Sequence, residues 1–304
     1  MRGPVPPTIF AIVASILFFL NSYADQAEAK SPTSSLLAKA HSERSSPSDL
    51  EIGGDLASLP AGSTRYLTRE ELLSLPQVSF SVANDPNFAG PTEVSGVLLE
   101  TLAREIAGSP DSDLAVAICA DQYRGHYPRA YVQEHHPVLV LKVNGQSPEH
   151  WPKDAEGHGL DMGPYMISHR DFTPAFKVLS HEDESQIPWG VIRIEFRDEK
   201  KVLDAIAPRG PTDAVAKARD GYRIAQQNCF RCHNMNNEGG RKAHRPWPVL
   251  AAWASSAPDY FASYVRNPQS QNPNAQMTPN PKYDDATLQA LIAYFQTFAH
   301  EEKP

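Results

Sequence analysis

The chain has 304 residues, 41% of them apolar and 21% charged, and a net charge of −8. That length allows two folded units, since one core commonly serves about 100–200 residues. Residues 211–304 carry 10 basic and 8 acidic side chains, net +2, which leaves −10 on residues 1–210. An acidic body with a near-neutral tail argues against nucleic-acid binding and predicts two units with different surfaces.

In chain order, Arg2 precedes the apolar run "TIFAIVASILFFL" (8–20), and small residues follow at "SYA" (22–24) and "AEA" (27–29). A basic start, a short apolar stretch and a small-residue site make up a secretory signal, so residues 1–24 are expected to direct export to the periplasm. Cleavage falls after Ala24 or Ala29, and the chain meets a membrane only if the segment stays as an anchor. Residues 25–62, rich in Ser, Ala, Pro and charge, read as a flexible linker.

Residues 63–208 read as an α+β unit. "LTREELLSL" (67–75) places Thr68 and Glu71 at capping-box spacing and predicts a short helix. A strand is expected over 76–85, and a helix over 94–108, where apolar residues recur at helical spacing before Gly108. Strand-like runs follow at 114–121, 137–145, 164–169 and 189–198. "APRGPTD" (207–213) marks the boundary, and residues 211–304 then read as all helical. Helices are expected from Thr212 to the cysteines, over 259–268, and over 284–299 with Leu288, Leu291, Ile292 and Phe295 on one face.

The chemistry concentrates in "CFRCH", with Cys229, Cys232 and His233 in C-x-x-C-H order. Zinc needs four ligands, and the one other cysteine, Cys119, lies far upstream. A redox dithiol follows a strand and opens a helix, whereas this motif closes one. The reading that remains is covalent haem attachment, with the two thiols as tethers and His233 on the iron. One haem c is therefore expected.

On these residues the segment 211–304 resembles a class I monohaem cytochrome c domain. Gly221-Tyr222 and Ala293-Tyr294-Phe295 match the glycine and aromatics that such domains place where first and last helices cross. The resemblance implies that the Pro248 carbonyl, in "WPVL" (247–250), accepts the proximal histidine Nδ1–H. Trp247 departs from the family's glycine there. It also implies that Met277, in the Pro-rich stretch before the last helix, is the sixth ligand. His244 is the competing ligand, and Arg241, Lys242 and Arg245 read as solvated loop charges.

Residues 95–197 resemble the molybdopterin-binding domain of the sulfite oxidase superfamily. The resemblance rests on "SGVLLETLAREIA", "AICADQYRGHYP", "HPVLVLKVNGQSP", "GHGLDMGPYMI" and "IPWGVIRIEF" in that order. Asp121-Gln122-Tyr123 replaces the family's Asp-Gly-Tyr, and the stretch where the family carries its metal-binding cysteine has none. Cys119 reads as a small core residue, and Arg124, His126, His135 and His136 as surface-loop residues. The expected domain is a degenerate relative without molybdopterin.

Together these readings describe an exported electron carrier serving redox partner proteins, an electron-transfer protein or a subunit of an oxidoreductase complex. The alternative is a molybdenum-dependent, sulfite-type oxidoreductase with a built-in haem c acceptor.

Overall fold

The computed structural model describes Gly3 and residues 35–299, apart from 57–58, 84, 107–111, 154–158, 171–176, 180 and 183–185. The expected export segment, residues 1–24, lies outside the described residues except for Gly3. Among the described residues, no helix is long and apolar enough to cross a membrane.

The stretch expected as a flexible linker folds from residue 35 onward. Helix α1 (Ser35–Lys39) is followed by strand β1 (Leu50–Gly54). Leu36, Leu50 and Ile52 are buried in the core of the sheet. The Asp49 carboxylate accepts from the Ser45 hydroxyl and from the Ser45 and Ser46 amides, which shapes the turn that feeds β1. These apolar residues stand singly among Ser and charge, so no period announced them.

Strand β2 (Arg65–Leu67) leads into α2 (Arg69–Leu73), where the expected capping box forms. Thr68 Oγ1 accepts from the Glu71 amide at 3.2 Å and the Glu71 carboxylate accepts from the Thr68 amide at 2.7 Å. Strand β3 (Val78–Val82) follows. The helix expected over 94–108 is helical only in its second half. Its first half is strand β4 (Thr92–Leu98), paired on both edges, and α3 (Leu99–Ile106) follows directly. Sheet pairing overrides local period where two neighbouring strands are available.

Next come β5 (Leu114–Cys119), β6 (Arg124–Pro128), α4 (Arg129–His135), β7 (Val138–Val143) and β8 (Tyr165–Ser168). A two-residue hairpin, β9 (Lys177–Val178) with β10 (His181–Glu182), precedes the long β11 (Trp189–Arg197) and α5 (Glu199–Asp204). The main sheet runs β2-β1-β11-β8-β7-β4-β3, and β5 also pairs with β11 and carries β6 beyond it. Only β1 with β11 is parallel among these pairs. Strand β11 changes partner along its length. On one edge Trp189 and Val191 pair with β8 and Arg193–Phe196 with β1, while the other edge pairs with β5 from Val191 onward.

The helical region holds α6 (Thr212–Asn228), the hairpin β12 (Asn234–Met235) with β13 (Glu238–Gly239), α7 (Trp247–Ser256), α8 (Pro258–Arg266), α9 (Pro268–Gln271) and α10 (Asp285–Gln296). Pro211, not Thr212, holds the cap position of α6. Asp284 caps α10 by accepting from the Thr287 amide at 2.9 Å.

Strand β5 explains how sheet and helices meet. All six of its residues are buried, because each face lies against a different core. Ala115, Ala117 and Cys119 join the core of the sheet, while Leu114, Val116 and Ile118 join the cluster of Ile224, Phe230, Trp247, Leu291 and Phe295. The alternation of a strand puts these two sets on opposite sides.

Candidate functional site

Helix α6 carries the cysteine motif at its C-terminal end, where Cys229 is the capping residue and its amide still donates to Ala225 O at 3.0 Å. The chain then turns tightly, with the Cys232 and His233 amides both reaching Cys229 O, at 3.1 and 2.9 Å. The two thiols thus stand one turn apart, with the imidazole next along the turn. Gly240 passes against this loop so closely that a Cβ there would lie 1.8 Å from Arg231 O. Only glycine allows that approach.

All three cysteines are free thiols. Burial pushes the Cys229 thiol up to about 12 and raises Cys232 as well. A redox dithiol works through a thiolate with a lowered pKa, so these protonated thiols do not suit that role. Among the described residues, no three His, Cys, Asp or Glu side chains gather to hold a metal ion, which leaves a zinc knuckle without its ligands.

His233 is 8% exposed. Its Nδ1 donates to the Arg245 carbonyl at 2.6 Å, so Nε2 carries the lone pair. Burial holds the imidazole below its ordinary pKa, helped by the Arg245 charge and opposed by the hydrogen bond, so the ring is neutral at neutral pH. The expected acceptor, Pro248, is displaced from this role. It lies exposed within the first turn of α7, while the chain passes His233 three residues earlier, at Arg245. Trp247, the departure from the family's glycine, is fully buried against Phe230 and Phe295. Helix α7 starts at this residue, with Pro248 in its first turn, where a missing N–H leaves no bond unmade.

Of the basic residues of this loop, Arg241 and Lys242 are exposed, as expected, though each meets a polar partner, and Arg245 is half-buried. Arg241 donates to Asn237 Oδ1 at 3.0 Å, Lys242 pairs with Asp121 at 2.7 Å, and the Arg245 guanidinium lies over aromatic rings. His244 is exposed.

Met277 lies half-buried in the loop between α9 and α10, packed on the same apolar cluster as Cys229 and Tyr222. Sequence reading missed what holds this loop. Gln269 Nε2 donates to the Ala275 and Met277 carbonyls at 2.9 and 3.1 Å, and Asn280 Nδ2 donates to Val265 O at 3.2 Å. Behind it, Tyr222 and Tyr294 face each other across α6 and α10 with ring centroids 5.6 Å apart. Gly221 permits that crossing, since a Cβ there would stand 2.0 Å from Ala290 O. Two thiols, a neutral imidazole with a bare Nε2, a thioether and an apolar lining form a donor set that fits a haem iron.

The β5–β6 turn of the sheet grips the attachment loop. The Arg124 amide donates to Arg231 O and the Arg241 amide to Gln122 O, both at 2.9 Å. Arg231 reaches Tyr123 Oη at 3.3 Å, and Arg197 pairs with Glu238 at 2.7 Å. His126, expected on a surface loop, is instead 5% exposed and stacks on Phe230 at 4.9 Å. Its β6 position turns it toward the helices, so tertiary contact buries it. Cys119 is 2% exposed, and burial drives its thiol well above the ordinary range.

No curated protein matches the chain. Among solved structures, the chain is similar to the sulfane dehydrogenase SoxCD from Paracoccus pantotrophus, with 17% identity and a TM-score of 0.34. That likeness covers 56% of this chain and 44% of the other, less than half of that protein's length. The family described as cytochrome c oxidase, cbb3-type, subunit III matches residues 216–295. The helical region that contains the cysteine motif and Met277 therefore holds a cytochrome c domain at residues 216–295, following a mixed α/β sheet region.

Proposed function

We propose that the chain is an exported single-electron carrier in which Cys229 and Cys232 tether one haem and His233 and Met277 serve as its axial ligands. The observation that carries this reading is the pairing of His233 Nδ1–H with the Arg245 carbonyl directly behind the two thiols. It fixes the tautomer and leaves Nε2 as the ligating nitrogen. Bound there, the group would supply a one-electron iron couple, and with His233 and Met277 both holding it the site would pass electrons and take no substrate.

The rest of the site serves that task. The α6–α10 crossing at Gly221 brings Tyr222 and Tyr294 together on the apolar cluster against which Cys229 and Met277 also pack. Gln269 and Asn280 hold the Met277 loop at a set position. The partners are redox proteins that deliver and remove single electrons. Export is supported by the residue pattern of positions 1–24.

For the alternative with molybdenum, the sheet region would need a thiolate, and Cys119 is a buried, protonated thiol within a strand. This supports a sheet region that works without the metal.

Metal analysis and optical spectra of the purified exported protein test the reading. One haem per chain, low-spin with a methionine–iron charge-transfer band lost in Met277→Ala, is expected. One molybdenum per chain, or a Met277→Ala variant that keeps the band, overturns it.

A further inference from the structure

The carbonyl that accepts the hydrogen bond from His233 Nδ1 belongs to a residue whose side chain lies over two aromatic rings. Arg245 Cζ lies 5.0 Å from the Trp253 ring centroid and 5.4 Å from that of Tyr264, and Nη1 donates to Tyr264 Oη at 3.4 Å. Trp253 comes from α7 and Tyr264 from α8. Tyr260, one turn before Tyr264, completes the group, with its ring 5.4 Å from Trp253 and 5.8 Å from Tyr264. Among the described residues no carboxylate pairs with this guanidinium. Its binding comes from ring faces, which suit a planar, weakly hydrated cation.

The backbone around it shows why the side chain matters. Residues 240–243 are tied down by main-chain bonds, from Gly240 to Phe230 O at 2.8 Å, Arg241 to Gln122 O at 2.9 Å and Ala243 to Cys232 O at 3.0 Å. Main-chain anchors resume only with the first turn of α7, where Val249 donates to Pro246 O at 2.9 Å. Between these anchors Arg245 O accepts from His233 Nδ1, with the Arg245 guanidinium on one side of the chain and the buried Trp247 ring two residues on.

We infer that Arg245 is a positioning residue for His233, with Trp253 and Tyr264 clamping its guanidinium so that its carbonyl holds the imidazole in one orientation and one tautomer. The inference rests on the reading of His233 as an iron ligand. It assigns a role in the site to three side chains, Arg245, Trp253 and Tyr264, that touch neither thiol nor thioether.

The test is exchange of the His233 Nδ1 proton with deuterium, followed by NMR in the reduced full-length protein. In Trp253→Leu the exchange is expected to quicken about tenfold or more, as loosening a structural hydrogen bond implies. Amide exchange at Leu291 in α10 stays unchanged. Arg245→Lys keeps the charge and loses the plane, and it gives the same direction should Trp253→Leu fail to fold. Unchanged Nδ1 exchange overturns the inference. So does a rise at Nδ1 matched by an equal rise at Leu291, which signals general destabilisation. A chain without haem is seen first in the optical spectrum and sinks the ligand reading. A haem-bearing chain with unchanged exchange sinks the clamp alone.

Discussion

Gly221→Ala tests the packing that closes the helical region. A Cβ at this position would stand 2.0 Å from Ala290 O, 2.5 Å from the Ala290 carbonyl carbon and 2.7 Å from Tyr294 Cβ. A comfortable contact is about 3.5 Å, so α6 and α10 must part by on the order of 1 Å. Alanine also favours helix by about 1 kcal/mol over glycine, which opposes the damage. Overpacking costs about 1–3 kcal/mol, and the upper end applies because two of the three obstacles are backbone atoms that cannot rotate away. The net expectation is a loss of about 2 kcal/mol, seen as a fall in melting temperature of about 4–8 °C by far-UV circular dichroism. An unchanged or raised melting temperature would mean that propensity wins, and would refute the close crossing of the two helices.

Acid should destabilise the fold through two buried histidines. His126 and His169 are 5% and 0% exposed, and burial lowers both to about 3. Both are neutral when folded, while the unfolded chain takes up their protons near pH 6.5. Stability is therefore full above about pH 6.5 and falls as pH drops toward about 3. Urea unfolding should show a loss on the order of 3 kcal/mol between about pH 6.5 and 5, and His169→Gln should remove about half of that dependence. Equal urea midpoints at both pH values would count against it. Tyr294→Phe removes a hydroxyl that donates to Ile206 O at 2.6 Å in a fully buried place. It should cost about 1–2 kcal/mol in urea unfolding, and a neutral result would dismiss that bond. Asp121→Asn breaks an ion pair whose side chains are 44% and 47% exposed, and its effect should stay under about 1 kcal/mol. Trp247→Ala, by contrast, should cost about 3–5 kcal/mol on the same assay. Comparable losses for the two variants would contradict the burial pattern.

The sequence by itself determined the chemistry that short spacing encodes. Cys229, Cys232 and His233 are neighbours along the chain, so their proximity follows from one helical turn whatever the fold around them. The capping box at Thr68 and Glu71 and the last helix at Asp284 were legible for the same reason, since both depend on residues three or four apart. Tertiary structure decided everything that depends on which distant segment lies opposite. Residues 94–98 carry a helical pattern but meet β3 and β7, so they extend. Leu50 and Ile52 look like tether residues until β2 and β11 pair with their strand. The acceptor for His233 is the Arg245 carbonyl, not that of Pro248, which lies in the first turn of α7. The same packing brings Trp253 and Tyr264 around the Arg245 guanidinium, at separations along the chain for which no local pattern exists.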